Sequence, residues 1–67
     1  MHFELISGGK IRLAFNRNTP EEAGQFVKDN IAGNGTWSSL KDIDPNECKL
    51  RVARITYDYY NLEGELI

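Results

Sequence analysis

The sequence of 67 residues has little of what most chemistry requires, with one histidine, one cysteine and no excess of positive charge. The lone Cys48 excludes a disulfide within the chain, and no basic stretch leads into an apolar one as in a secretory signal. No apolar run approaches the ~20 residues that span a bilayer. We therefore expect a cytoplasmic protein with no membrane contact.

The net charge of −2 argues against a general phosphate-binding function. Domains that bind nucleic-acid backbones are usually strongly basic. The 40% hydrophobic and 27% charged residues are typical of a folded globular protein. We expect a single domain over residues 1–67 with a free energy of unfolding near ~3–5 kcal/mol, so that a partner or a homodimer is a real alternative to a self-sufficient monomer.

The first sixteen residues predict a β-hairpin around residues 7–10. A two-residue turn would place the apolar residues of the two arms on opposite faces. A three-residue loop instead pairs Leu5 with Leu13 and Phe3 with Phe15, which makes one face apolar. We therefore predict a loop of three or five residues.

The start of a helix is well specified by Thr19 as cap, Pro20 at the first position and Glu22 at the third. We expect the helix to end at Gly33. Gly24 lies inside the helix, either to permit close packing against a strand or by accidental tolerance. Five residues recur at helical spacing on one face, which should cover the sheet: Ala23, Phe26, Val27, Asn30 and Ile31.

Two interpretations remain open for residues 36–42. Trp37 to Leu40 forms a short strand, which we favour, or Ser38 caps a short helix that ends near Asp42. The following residues 44–47, Asp-Pro-Asn-Glu, have the signals of a single helical turn that reverses the chain.

Residues 50–60 contain two arginines and all three tyrosines and predict the longest strand. Its apolar residues change parity near Ala53, which indicates a β-bulge or a strand covered on both faces. Tyr57 and Tyr59 then face the core. The accessible residues are Arg54, Thr56, Asp58 and Tyr60.

The last seven residues include Leu62, Leu66 and Ile67, which a solvated tail would not need. They form an edge strand after a turn near Asn61, or they dock on a partner. The predicted fold is α+β: a small antiparallel sheet of three to four strands, in the order β-β-α-β-β, with one helix packed on one face.

The sequence gives little support for a catalytic site or a metal site. His2 lies in a strand beside the chain start, and Cys48 is better explained as a small buried hydrophobe than as a reactive thiol. One histidine and one cysteine cannot supply a metal cluster, so we expect no metal and no cofactor. The glycines and lysine of residues 8–10 lack the spacing of a phosphate-binding loop.

Arginine and tyrosine on one strand suit either single-stranded nucleic acid or a protein interface. The acidic Asp58 among the tyrosines makes direct nucleic-acid binding the weaker hypothesis. Trp37 is equally well explained as the end of the core. The predicted protein-binding residues are Arg12, Trp37, Arg54, Tyr57 and Tyr60, with Arg12 near Arg54 if the second and fourth strands are neighbours.

We therefore expect a non-enzymatic protein-binding module, an inhibitor or regulator that blocks a surface of another protein or of a ribonucleoprotein complex. In size, mild acidity and single-helix layout the chain resembles small phage accessory proteins, including inhibitors of bacterial defence systems such as anti-CRISPR proteins. The alternatives are a single-stranded nucleic-acid binder, and a small thiol-dependent enzyme or accessory subunit that uses Cys48 and His2.

Overall fold

The described part of this protein contains a four-stranded antiparallel sheet and one α-helix. The computed structural model describes residues 1–31, 40, 42–53 and 56–67. The strands follow the spatial order β2-β1-β3-β4, so β2 and β4 lie at opposite edges. This confirms the predicted α+β class. The elements are β1 (His2–Ser7), β2 (Lys10–Asn16), α1 (Pro20–Ile31), a 3-10 turn (Pro45–Glu47), β3 (Cys48–Val52) and β4 (Asp58–Tyr60).

The register of the first hairpin follows the apolar pattern. Leu5 pairs with Leu13 and Phe3 with Phe15, as predicted. The rings of Phe3 and Phe15 lie 6.0 Å apart on the core side of the sheet. Burial of one face therefore sets the pairing.

The loop of this hairpin is shorter than predicted. Ser7 pairs with Lys10, so the turn consists of Gly8 and Gly9 alone, both at positive φ (61° and 75°) as a type I′ turn requires. The prediction of three or five loop residues is wrong because the register shifts inside the strand. A β-bulge at Arg12 takes up the odd residue and restores the apolar face.

Helix α1 begins where the capping signals place it. The backbone N–H of Glu22 donates to Oγ1 of Thr19 at 3.2 Å, and the fully buried Ala23 and Val27 join the hydrophobic core. The ring of Phe26 lies 4.8 Å from that of Phe15 in β2. The predicted stop at Gly33 falls outside the described residues.

The hydrophobic core draws on sheet, helix and connections together. β1 and β3 supply its centre, because their alternate residues point to the same side as Ala23 and Val27 of α1. The buried apolar residues are Phe3, Leu5, Ala23, Val27, Leu40, Ile43, Leu50, Val52 and Leu62.

The segment 50–60 is a second hairpin and not a single long strand. Leu50 pairs with Tyr60 and Val52 with Asp58 in antiparallel β3 and β4. The predicted bulge near Ala53 is therefore wrong. No change of inward parity has to be explained, because Leu50 and Val52 of β3 are paired with the even-numbered Tyr60 and Asp58 of β4 and so share a face with them.

The single helical turn predicted at residues 44–47 is confirmed. Oδ1 of Asp44 accepts from the backbone N–H of Asn46 at 2.9 Å, and Pro45 begins the 3-10 helix. The strand or helix predicted around Trp37 lies outside the described residues, apart from the buried Leu40 and the exposed Asp42.

The C-terminal segment forms a tight turn against β4 and α1. Oδ1 of Asn61 accepts from the backbone N–H groups of Glu63 and Glu65 at 3.1 and 2.9 Å. The predicted turn near Asn61 is confirmed. The predicted edge strand is reduced to one bridge, between Tyr60 and Leu66.

Candidate functional site

The face of the sheet opposite the core carries a cluster of charged and aromatic side chains. Glu4 of β1 pairs with Ala14 on one side and with Arg51 on the other, and Arg51 pairs in turn with Tyr59. Directly paired residues share a face. We call this the outward face; it consists of Glu4, Ile6, Ala14, Lys49, Arg51 and Tyr59, with Tyr57 beside them.

An ion pair lies at the centre of the outward face. Nε of Arg51 donates to Oε1 of Glu4 at 2.9 Å, and Nη2 of Arg51 lies 2.8 Å from the same oxygen. The two side chains are only 20% and 22% exposed. The hydrogen bond to Glu4 is the main reason that the pKa of Arg51 is raised, with a smaller contribution from Tyr59. The guanidinium is thus held in one position.

Two tyrosine rings lie beneath the cations of this face. The guanidinium carbon of Arg51 is 4.2 Å from the ring centre of Tyr57, and Nζ of Lys49 is 4.6 Å from that of Tyr59. The two rings are 6.4 Å apart and inclined at 51°. Both distances are within the range of cation–π attraction. The arrangement presents ordered aromatic surface to solvent, and Tyr57 is 52% exposed.

The tyrosines occupy the opposite faces from those predicted. Tyr57 and Tyr59 were expected in the core, yet they lie on the outward face with Arg51. Tyr60 was expected to be accessible, yet it is half-buried, packs against the core cluster and opposes Leu50. The prediction failed because the inward parity does not change between the two strands. Tyr60 opposes the buried Leu50 and Tyr59 opposes Arg51, so even-numbered residues face the core in both β3 and β4.

Arg12 is not brought together with the tyrosines. It lies at the bulge of β2, where its Nη2 is 3.1 Å from Oδ1 of Asp42. Strand β2 has neither β3 nor β4 as a neighbour, so the condition under which Arg12 was expected near Arg54 is not met. Trp37 and Arg54 fall outside the described residues.

Three residues of the outward face were missed from the sequence: Glu4, Lys49 and Arg51. Their signal was present in the alternation of Lys49 and Arg51 with the apolar Leu50 and Val52. The alternation predicts an outward face only if β3 ends at Val52, because the pairing of Arg51 with Tyr59 requires the second hairpin.

Cys48 and His2 lie at opposite ends of the sheet. Cys48 is level with Ser7, while His2 is level with Asn16 and its Nδ1 is 3.3 Å from the Asn16 side-chain oxygen. Five residues of strand separate the two levels, a distance of roughly 16 Å. These two residues therefore form no thiol–imidazole pair. Partial burial, followed by the charges of Asp44 and Glu63, raises the pKa of the Cys48 thiol.

A shallow cleft of about 350 Å³ lies at the end of the outward face. It is bordered by Ile6, the Gly8-Gly9 turn, Cys48 and Lys49. Its size is at the lower limit of small-molecule pockets. Within the described ranges, no three His, Cys, Asp or Glu side chains come together as a metal site would require.

Comparison with known proteins gives no match: no protein-family model fits the chain, and no curated protein or solved structure is significantly similar to it. In the part of the chain that the structure describes, no helix has the length and apolar character needed to cross a membrane.

Proposed function

We propose that this protein is a non-enzymatic protein-binding module, an inhibitor or regulator that works by covering part of another macromolecule's surface with its outward face. The observation that carries the proposal is the tyrosine pair, the exposed Tyr57 and the half-buried Tyr59, in contact with Arg51 and Lys49. Tyrosine and arginine are among the residue types most enriched at binding hot spots.

Preorganisation is the physical reason why this cluster suits binding. An aromatic side chain that is already ordered loses little conformational entropy on association. The Arg51 guanidinium lies over Tyr57 and is hydrogen-bonded to Glu4. The tyrosine surface is thereby offered in a fixed geometry on the sheet.

The charge of the face favours a protein over a nucleic acid as partner. Two cations, Lys49 and Arg51, stand against one carboxylate, Glu4, which already takes the hydrogen bonds of Arg51. A phosphate-binding surface would leave such donors open. The half-buried thiol of Cys48 suits a reducing compartment, so a cytoplasmic location is part of the same proposal.

A protein or ribonucleoprotein of a bacterial defence system is the first partner to test, because small size and mild acidity are shared with phage-encoded inhibitors such as anti-CRISPR proteins. Self-association through the same face is the second. In both cases the tyrosine pair is the expected contact, so one set of variants examines both.

The experiment is quantitative affinity capture from host lysate with the wild type, Tyr57→Ala and Leu66→Ala. Tyr57 is 52% exposed and Leu66 is 66% exposed. Leu66 bridges to Tyr60, which packs against the core, so Leu66→Ala is a control for the loss of exposed apolar surface away from the outward face. We expect Tyr57→Ala to reduce capture of the partner by about tenfold or more and Leu66→Ala to leave it unchanged. Equal capture by the wild type and Tyr57→Ala would contradict the proposal.

A further inference from the structure

The outward face contains the two kinds of side chain that bind single-stranded nucleic acid. Tyr57 and Tyr59 provide rings on which bases stack in such sites, and Lys49 and Arg51 provide cations that contact phosphates. The outward face differs from such a site because it also carries a carboxylate, that of Glu4, which is paired with Arg51 across β1 and β3.

Glu4 changes what Arg51 offers to a ligand. Both Nε and Nη2 of Arg51 are directed at Oε1 of Glu4, at 2.9 and 2.8 Å. Arginine binds phosphate best through two parallel N–H groups, and here those groups are used. The carboxylate also cancels one of the two positive charges of the face.

We propose that Glu4 is the specificity residue of the outward face, which keeps phosphate backbones away and leaves the tyrosines to a protein partner. This inference rests on the proposed function. Its physical basis is rejection by like charge, which excludes a wrong ligand without adding any contact to the right one. Because Glu4 holds Arg51 and Arg51 covers Tyr57, one carboxylate both orders the face and selects its ligand.

The test is fluorescence anisotropy with a labelled oligothymidylate of about 12 nucleotides at about 20 mM salt, where electrostatic binding is strongest. We expect no measurable binding by the wild type, and binding by Glu4→Gln that is at least about tenfold tighter than the weakest affinity the titration detects. The logarithm of that affinity should fall with the logarithm of salt concentration at a slope of about −0.7 to −1.4, for one or two phosphate contacts.

Glu22→Gln is the matched control, because it makes the same change in net charge at an exposed position in the first turn of α1. Equal affinities for Glu4→Gln and Glu22→Gln would overturn the role of Glu4 and leave the proposed function standing. Tight, salt-dependent binding by the wild type would overturn both proposals.

Ala14→Lys keeps the test decisive if Glu4→Gln is unstable. Ala14 is exposed and pairs directly with Glu4, so a lysine there adds positive charge to the outward face without removing the ion pair. Binding of the oligonucleotide by this variant supports the inference, and no gain over the wild type overturns it. Circular dichroism of each variant establishes that it is folded.

Discussion

At the scale of single residues, Gly24 and Gly64 fix how the C-terminal turn packs on helix α1. A Cβ atom on Gly24 would overlap the carbonyl oxygen of Leu62 and lie 2.6 Å from its carbonyl carbon. A Cβ on Gly64 would come within 2.7 Å of the backbone nitrogen of Glu21. The neighbours are backbone atoms, which cannot move aside cheaply. Gly24 thus permits close packing, against the C-terminal turn and not against a strand.

Gly24→Ala should therefore destabilise the fold, although alanine normally stabilises a helix by ~0.5–1 kcal/mol relative to glycine. Forcing extra volume into a packed contact costs about 1–3 kcal/mol, which exceeds the gain in helix propensity. The free energy of unfolding from urea denaturation measures the difference. Gln25→Ala, at an exposed position of the same helix, should change it by less than about 0.5 kcal/mol. A Gly24→Ala variant more stable than the wild type would show that the helix and the turn are not in contact.

Cys48 should make stability depend on alkaline pH. Burial raises the pKa of its thiol in the folded state, so the unfolded chain loses this proton first as pH rises. Below the thiol pKa of the unfolded chain, near about 8.5, the neutral thiol makes its full contribution to the free energy of unfolding. This contribution is lost as pH rises through the higher pKa of the thiol in the folded protein. The wild type should therefore lose stability relative to Cys48→Ala above about pH 8.5. Unfolding measured at neutral and alkaline pH checks this, and a difference between the two proteins that does not vary with pH would refute it.

At the scale of elements, local signals were sufficient wherever a few adjacent residues decide the outcome. Thr19 and Pro20 specify the start of α1, and Asp44 with Pro45 specifies the 3-10 turn, because caps act within one turn of backbone. The pairing of Phe3 with Phe15 was predictable for a different reason, since the burial of one face allows no slip by one residue.

The errors arose where a feature depends on pairing with a distant segment. The bulge at Arg12 leaves no mark in composition, so the two-residue turn could not be distinguished from a longer loop. The same limit applied to the second hairpin. Its reversal between Val52 and Asp58 lacks a glycine or proline, and the outward face that it builds was therefore assigned to the core.

The first hairpin yields a prediction about its turn. Gly8 and Gly9 have positive φ and open space around them, so a side chain there is opposed by backbone strain alone. We expect Gly9→Ala to lower the free energy of unfolding by about 1–2 kcal/mol, while Gly8→Asn, which creates the Asn-Gly pair preferred in type I′ turns, has little effect. Thermal unfolding followed by circular dichroism compares the two. Equal melting temperatures for both variants would argue against a type I′ turn.

At the scale of the whole molecule, the Cα radius of gyration of 10.8 Å agrees with the roughly 11 Å expected of a compact domain of this length. The core is on one side of the sheet, built by β1, β3 and α1. The other side is therefore left to Glu4, Arg51 and the tyrosine pair. This division of the sheet into a packed face and a presented face is the reason for assigning binding to the latter.

The most direct test of that assignment is hydroxyl-radical footprinting of the protein alone and in complex with the partner obtained by affinity capture. Tyr57 is 52% exposed and Met1 is 40% exposed, so both react in the free protein. We predict that the partner reduces oxidation of Tyr57 by about fivefold or more and leaves that of Met1 unchanged, because buried hot-spot residues are shielded from solvent. Protection of Met1 with undiminished oxidation of Tyr57 would contradict binding through the outward face.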